Sequence, residues 1–165
     1  MKIEDDFLEE QEFVPLQKVL MSGQIAWFYM DMIDSGEDID KFQFIHNLYF
    51  NYAPTSEFLK TVEPILRKLN PISIGKIKAN LLTRTPNIIE NSFHVDTPFS
   101  EEKMKQLTTS IFYVNTNNGY TKFEDGTKVE SVANRMVTFP ANMKHTGTSC
   151  TNERTRVVIN FNYFN

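Results

Sequence analysis

Three histidines, two arginines and one tyrosine carry most of the chemistry that this 165-residue chain can offer. In the stretch NSFHVDTPF, His94 and Asp96 stand on either side of a single valine. On a strand, residues i and i+2 project to the same face, so an imidazole and a carboxylate at this spacing can bind one ion together. His145, in RMVTFPANMKHTGT, would complete a set of two imidazoles and one carboxylate. On one face of an octahedron such a set leaves three positions open, which suits non-haem Fe(II). By spacing alone, a His and an Asp two apart beside a loop are more often a solvated hydrogen-bonding pair, and His145 alone is equally ambiguous.

The segment ERTRVVINFNYF is strongly β-prone. Its alternation puts Val157, Ile159, Phe161 and Tyr163 on one face, with Arg156, Val158, Asn160 and Asn162 on the other. A guanidinium binds a carboxylate through two parallel hydrogen bonds, so an arginine pointing inward from this strand can hold a dicarboxylate. Arg154 shares the face of Arg156, and an isolated arginine near a strand end is otherwise a surface residue. The order of the residues is more informative than any one of them. His-x-Asp is followed by a histidine 49 positions after the Asp, then by Arg156 11 positions after that histidine.

Helices are expected early in the chain and strands late. EEQEFVPLQKVLMSG spaces Phe13, Leu16, Val19 and Leu20 as one helical face. SEFLKTVEPILRKLNP repeats the pattern with Ser56 as N-cap, and Pro64 must kink that helix or start a second one. From about residue 72, ISIGKIKANLL, SFHVD, LTTSIFYVN, TKFED, KVESV, RMVTFP and TRVVINFNYF read as strands separated by Gly-, Asn- and Pro-rich turns. Such an order suggests helices packed on an antiparallel sheet that closes into a sandwich or barrel.

Composition narrows the function classes. A hydrophobic content of 41% with 14 Phe marks a folded chain rather than a disordered one. The net charge of -4 argues against a broad phosphate-binding surface, and hence against nucleic acid. Cys150 is the single cysteine, so no intrachain disulfide framework exists. An acidic N-terminus without an apolar run and the lack of a long uncharged apolar window lead to the expectation of a soluble, cytoplasmic protein with no membrane partner. His46, within FQFIHNLYF, reads as a core or helix-face histidine, and Trp27, Phe28 and Tyr29 as core aromatics that can also border a groove. Nothing in the context of Cys150 suggests a nucleophile, and no phosphate-binding glycine loop or zinc-type cysteine cluster is present.

Residues from about 75 to 165 resemble the 2-oxoglutarate- and Fe(II)-dependent dioxygenases, in particular their prolyl-4-hydroxylase-like branch. FHVDTP is similar to the first iron-binding strand, TTSIFYVN to the strand after it, and NGYTKFEDG to a Gly-x-Thr-x-Phe turn and strand. NRMVTFPANMKHTG resembles the segment that delivers the distal histidine, and RVVINFNYF the last strand with its oxoglutarate arginine. The resemblance implies an α+β, mainly β fold: a double-stranded β-helix, or jelly-roll barrel, with N-terminal helices packed against it. One domain would span 1–165, with 1–70 a helical or mixed support and 72–165 the jelly-roll core. It further implies His94, Asp96 and His145 as iron ligands and Arg156 as partner of the far carboxylate of 2-oxoglutarate. Arg154 is the alternative for that role, and the Tyr113 hydroxyl would add a hydrogen bond.

The implied reaction is hydroxylation of a C–H bond, of a prolyl or other amino-acid side chain, with O2 consumed and succinate and CO2 released. Ascorbate would support activity. Substrates would be peptides, proteins or small amino-acid-like molecules, met by TRTPNIIENS and TPFSEEKMKQ on either side of the His-x-Asp pair. Asn162 stands where the nucleic-acid demethylase branch has a second arginine, which argues against an alkylated base. A cupin-like metalloenzyme without oxoglutarate and a non-catalytic jelly-roll binding module are the competing expectations.

Overall fold

Strands rich in Val, Ile, Phe and Tyr dominate the computed structural model, which describes residues 1–33, 41–96 and 100–165. In chain order the elements are β1 (Lys2–Glu4), α1 (Glu10–Leu20), β2 (Phe28–Met30), β3 (Gln43–Phe50), β4 (Ala53–Pro54), a 3-10 turn (Glu57–Val62), α2 (Glu63–Leu69) and β5 (Ser73–Thr83). Then follow α3 (Glu101–Met104), β6 (Leu107–Tyr113), β7 (Tyr120–Phe123), β8 (Lys128–Glu130), β9 (Arg135–Pro140), β10 (His145–Gly147) and β11 (Thr155–Phe164). The large sheet runs β1-β9-β6-β11-β5-β3-β2 with β4 paired to β3, and the small sheet runs β10-β7-β8. All pairings are antiparallel.

The alternation of β11 builds a core on each side of the large sheet. Val157, Ile159, Phe161 and Tyr163 pack with Leu16 and Leu20 of α1 and Ile65 of α2 in one cluster. Val158, on the opposite face, joins Ile111, Tyr113, Val137 and the small-sheet residues Phe123 and Val129 in a second. Each such buried aliphatic or aromatic side chain contributes roughly 1.5–3 kcal/mol. The result is two sheets face to face as a jelly roll, with the helices on the outer face of the large sheet. This is the mainly β, α+β arrangement expected.

The helical expectations are met in detail. Ser56 Oγ accepts from Phe58 N at 3.1 Å as an N-cap, and Pro64 falls in the first turn of a second helix rather than kinking one long one. The strand expectation for SFHVD is not met. Only His94 forms a bridge there, to His145, which itself lies on β10 and not in a loop. The neighbouring backbone explains why: residues 85–94 run beside 145–150 through spaced bonds, such as Thr85 N to Cys150 O at 3.0 Å and Asn91 N to Gly147 O at 3.3 Å. Phe28 and Tyr29 are a further correction. β2 is the last strand of its sheet, so they are 59% and 61% exposed, while Trp27 packs on the core. No helix among the described residues is long and apolar enough to cross a membrane.

Asn134 ties the N-terminal segment to the barrel. Its backbone is left-handed (φ 64), which asparagine tolerates better than most residues. The side chain accepts from Leu8 N at 2.9 Å and donates to Leu8 O at 2.8 Å, both buried bonds. Asn134→Ala should therefore lower unfolding stability by about 2–4 kcal/mol, read as a lower urea midpoint with unchanged m.

Candidate metal centre and its cleft

His94 and His145 are locked together by backbone. Each N–H donates to the other's carbonyl at 3.0 Å, which sets the two rings 5.1 Å apart. β10 pairs with β7, and Phe139 and Phe123 pack against the His145 ring. Nδ1 of His94 lies 3.0 Å from Ser92 O, and Nδ1 of His145 lies 3.2 Å from Met143 O. Carbonyl oxygens only accept, so each Nδ1 carries a hydrogen and, in the neutral ring, each Nε2 keeps its lone pair. Both Nε2 atoms turn to Asp96 Oδ1, at 3.8 Å from His94 and 3.7 Å from His145. Three ligand atoms thus lie within 4.8 Å of one another, a donor set that fits a divalent ion.

Asp96 is held from behind. The Nδ2 groups of Asn160 and Asn162 donate to its carboxylate, each at 3.2 Å, and Asn162 Nδ2 also reaches Thr109 Oγ1 at 3.0 Å. With both amides turned this way, Oδ1 of Asn160 and of Asn162 are buried with no partner among the described residues. Burial alone would raise the carboxyl pKa of Asp96. The nearby His145 ring and the charges of His94 and Lys78 outweigh it, so the carboxyl is held well below the usual range. Burial pushes the His145 ring down, but Asp96 more than offsets this and leaves it raised.

An open cleft runs inward from these three residues to Arg156. Arg156 is 2% exposed, and its Nε donates to Ser131 Oγ at 2.9 Å and Nη2 to Thr121 Oγ1 at 3.2 Å. Among the described residues no carboxylate pairs with it. Burial consequently lowers its pKa, although the guanidinium stays charged. Gly119 and Gly147 make room for this side chain. A Cβ at Gly119 would stand 2.7 Å from Arg156 Cδ, and one at Gly147 3.3 Å from Nη1. A buried cation that lacks an anion and borders an open cleft fits a carboxylate ligand.

The residues singled out from the sequence are thus divided. His94, Asp96, His145 and Arg156 line one cleft. Arg154 lies apart, exposed in the bend before β11, with its carbonyl accepting from Arg84 N. Tyr113 is fully buried beside the cleft, its ring 5.8 Å from the Arg156 guanidinium and its hydroxyl donating to Thr121 Oγ1 at 2.8 Å. His46 sits on β3 with Nδ1 2.6 Å from Ala26 O and Nε2 2.7 Å from Ser56 Oγ, a satisfied core histidine. Cys150 is buried and its thiol pKa is pushed up by burial.

Sequence reasoning missed Thr121, Ser131, Lys78 and the part played by Asn160. Strand parity was the available signal for Asn160, which shares the face of Arg156. Lys78 shares one face of β5 with Asn80 and Leu82, and burial with its neighbour Lys76 pushes its pKa down to about 8, against the pull of Asp96. Of the two segments expected to meet the substrate, 83–92 is described, while Thr97, Pro98 and Phe99 of the other lie outside the described residues.

No protein-family model and no curated protein matches the sequence. Solved structures do match in shape. A prolyl hydroxylase from Trichoplax adhaerens, in complex with a hypoxia-inducible-factor oxygen degradation domain peptide, aligns with a TM-score of 0.69 and 12% identity. That alignment covers 99% of this chain and 82% of the other. The viral collagen prolyl hydroxylase from Paramecium Bursaria Chlorella virus-1, a 2-oxoglutarate complex, aligns at 0.60 and 14% over 98% and 93% of the two chains. The non-haem, α-ketoglutarate-dependent carbocyclase SnoK of nogalamycin biosynthesis aligns at 0.67 and 13% over 99% and 78%. The chain therefore has the fold shared by prolyl hydroxylases and other 2-oxoglutarate- and Fe(II)-dependent oxygenases.

Proposed function

We propose that this protein is an Fe(II)- and 2-oxoglutarate-dependent oxygenase that hydroxylates an aliphatic C–H bond of an amino acid, free or within a peptide. One observation carries the reading. Three converging lone-pair donors and a buried guanidinium without an anion share a single cleft. A metalloenzyme or binding module that makes no use of oxoglutarate has no need of that guanidinium.

Nε2 of His94, Nε2 of His145 and the Asp96 carboxylate would hold the metal. Bound there with 2-oxoglutarate, Fe(II) supplies oxidation of the C–H bond by O2, with release of succinate and CO2. The chain's own residues do the positioning. Asn160 and Asn162 fix the plane of the Asp96 carboxylate, while the Ser92 and Met143 carbonyls fix the two rings. Arg156 and the Thr121 hydroxyl would bind the far carboxylate of oxoglutarate. Thr121 Oγ1 already accepts from Tyr113 and Arg156, so its own hydrogen can be donated to the ligand. Tyr113 then acts through Thr121 as a positioning residue. Leu82, Ile111 and Val158 give the cleft its apolar walls.

Wild-type protein should bind one Fe(II) or Mn(II) per chain and form succinate with Fe(II), ascorbate and oxoglutarate. His94→Ala should lose both metal, read by elemental analysis, and succinate formation. Metal retained by His94→Ala would defeat the assignment. Arg156→Met should keep the metal but weaken oxoglutarate about thirtyfold or more, by titration calorimetry on the Mn(II) form.

Protons compete with the metal at His145. Its pKa lies above the ordinary 6.5, and only the unprotonated ring can bind metal. Metal affinity should therefore be full above that raised pKa and fall about tenfold per pH unit below it. A metal-binding isotherm that does not change across this range would contradict the sign.

A further inference from the structure

Lys78 is a second cation at the cleft, and the oxygenase reading gives it no partner. It stands opposite Asn160 in the β5–β11 register, and it lines both the cleft that ends at Arg156 and an outer groove beside His94 and Asp96. Its ammonium makes no hydrogen bond or ion pair with any described residue. Asp96 is the only acidic residue among the described ones lining either space. That carboxylate is already held by Asn160 and Asn162 and faced by the Nε2 atoms of the two imidazoles.

Charge accounting isolates Lys78. A divalent ion with Asp96 leaves one positive charge, and Arg156 adds a second. The two carboxylates of oxoglutarate cancel both, and Lys78 stays uncompensated. A cation partly withdrawn from water is costly unless an anion reaches it. Its lowered pKa, near 8, has this same origin. The outer groove leaves room for that missing anion beside the metal ligands, and apart from Ser92 its other walls, Ile33, Phe93 and Val95, are apolar.

Resting on the oxygenase reading, we infer that the substrate carries a carboxylate that binds Lys78 while an aliphatic body lies against Ile33, Phe93 and Val95. The substrate class is thus a free amino acid or a comparable small carboxylic acid. An internal prolyl residue of a polypeptide offers no charge at that place.

Matched probes that differ only at the carboxyl group test this: proline against prolinamide, leucine against leucinamide, propionate against propionamide. They are titrated into the Zn(II)-loaded protein with saturating oxoglutarate and, in parallel, into the protein without either, with backbone-amide NMR as the readout. In the wild type at least one carboxylate should bind about tenfold more tightly than its amide and shift resonances near Lys78 and His94. Lys78→Met should abolish the preference and Lys78→Arg restore it, with oxoglutarate affinity in both variants within about twofold of wild type. Equal binding of carboxylates and amides, or no Lys78-dependent shift with any pair, overturns the inference. So does a Lys78→Met variant that loses oxoglutarate instead, since Lys78 then serves the cosubstrate. Failure of the wild type to bind metal and oxoglutarate would overturn the oxygenase reading, while the parallel titrations still report on Lys78.

Discussion

A carboxylate whose side chain is only 7% exposed must be compensated, and the inner face of the barrel is organised around that demand at Asp96. Neutral donors come from Asn160 and Asn162, two alternate residues of β11. On the other side two imidazole nitrogens face it with lone pairs, which is an unstable arrangement without a cation between them. A proton on His145 serves in the metal-free protein, in keeping with its raised pKa, and a metal ion would serve better by using all three donors at once. The two Asn oxygens without a partner among the described residues are the cost of this arrangement: both amides turn their donors to Asp96.

The same strand joins stability to function. On β11 the outward residues Val157, Ile159, Phe161 and Tyr163 anchor the helical layer, and the inward residues Arg156, Val158 and Asn160 line the cleft. A shift of one residue in its pairing would exchange the two sets, burying Arg156 against the helices and turning Ile159 into the site. Pairing with β5 on one side and β6 on the other prevents the shift. The precision of the candidate site therefore comes from the packing of a core that contains none of its residues.

Legibility from sequence followed the range of the interactions. The period-two pattern of β11 is local, so the faces of Arg156, Asn160 and Asn162 could be read directly. What Asn160 holds could not, because Asp96 lies 64 positions earlier and strand parity names a face, not a partner. SFHVD was misread for a related reason. Its His94 is fixed by one bridge to His145 rather than by a ladder, so i and i+2 meet at the site without a strand. β3 escaped notice because Gln43, His46 and Leu48 are all buried, and a strand in contact on both faces does not alternate. Phe28 and Tyr29 look like core residues by type, and only the order of strands reveals that they lie on an edge. Arg154 and Arg156 differ by whether the strand has begun, a boundary that composition does not mark.

The two cleft cations are built differently, and the difference bears on what each can do. Arg156 is clamped: Ser131 and Thr121 take two of its five donors, the Tyr113 ring lies beside it, and Cβ atoms at Gly119 or Gly147 would crowd its side chain. A guanidinium so fixed presents one geometry and suits a ligand that never changes, such as a cosubstrate shared by every turnover. Lys78 has no such clamp and ends a flexible four-carbon chain at the join of cleft and groove. An ammonium on that tether can follow a carboxylate over a range of positions, which suits the ligand that varies and must also leave. Rigidity at the inner end and freedom at the outer end thus suit two different ligands, one constant and one variable.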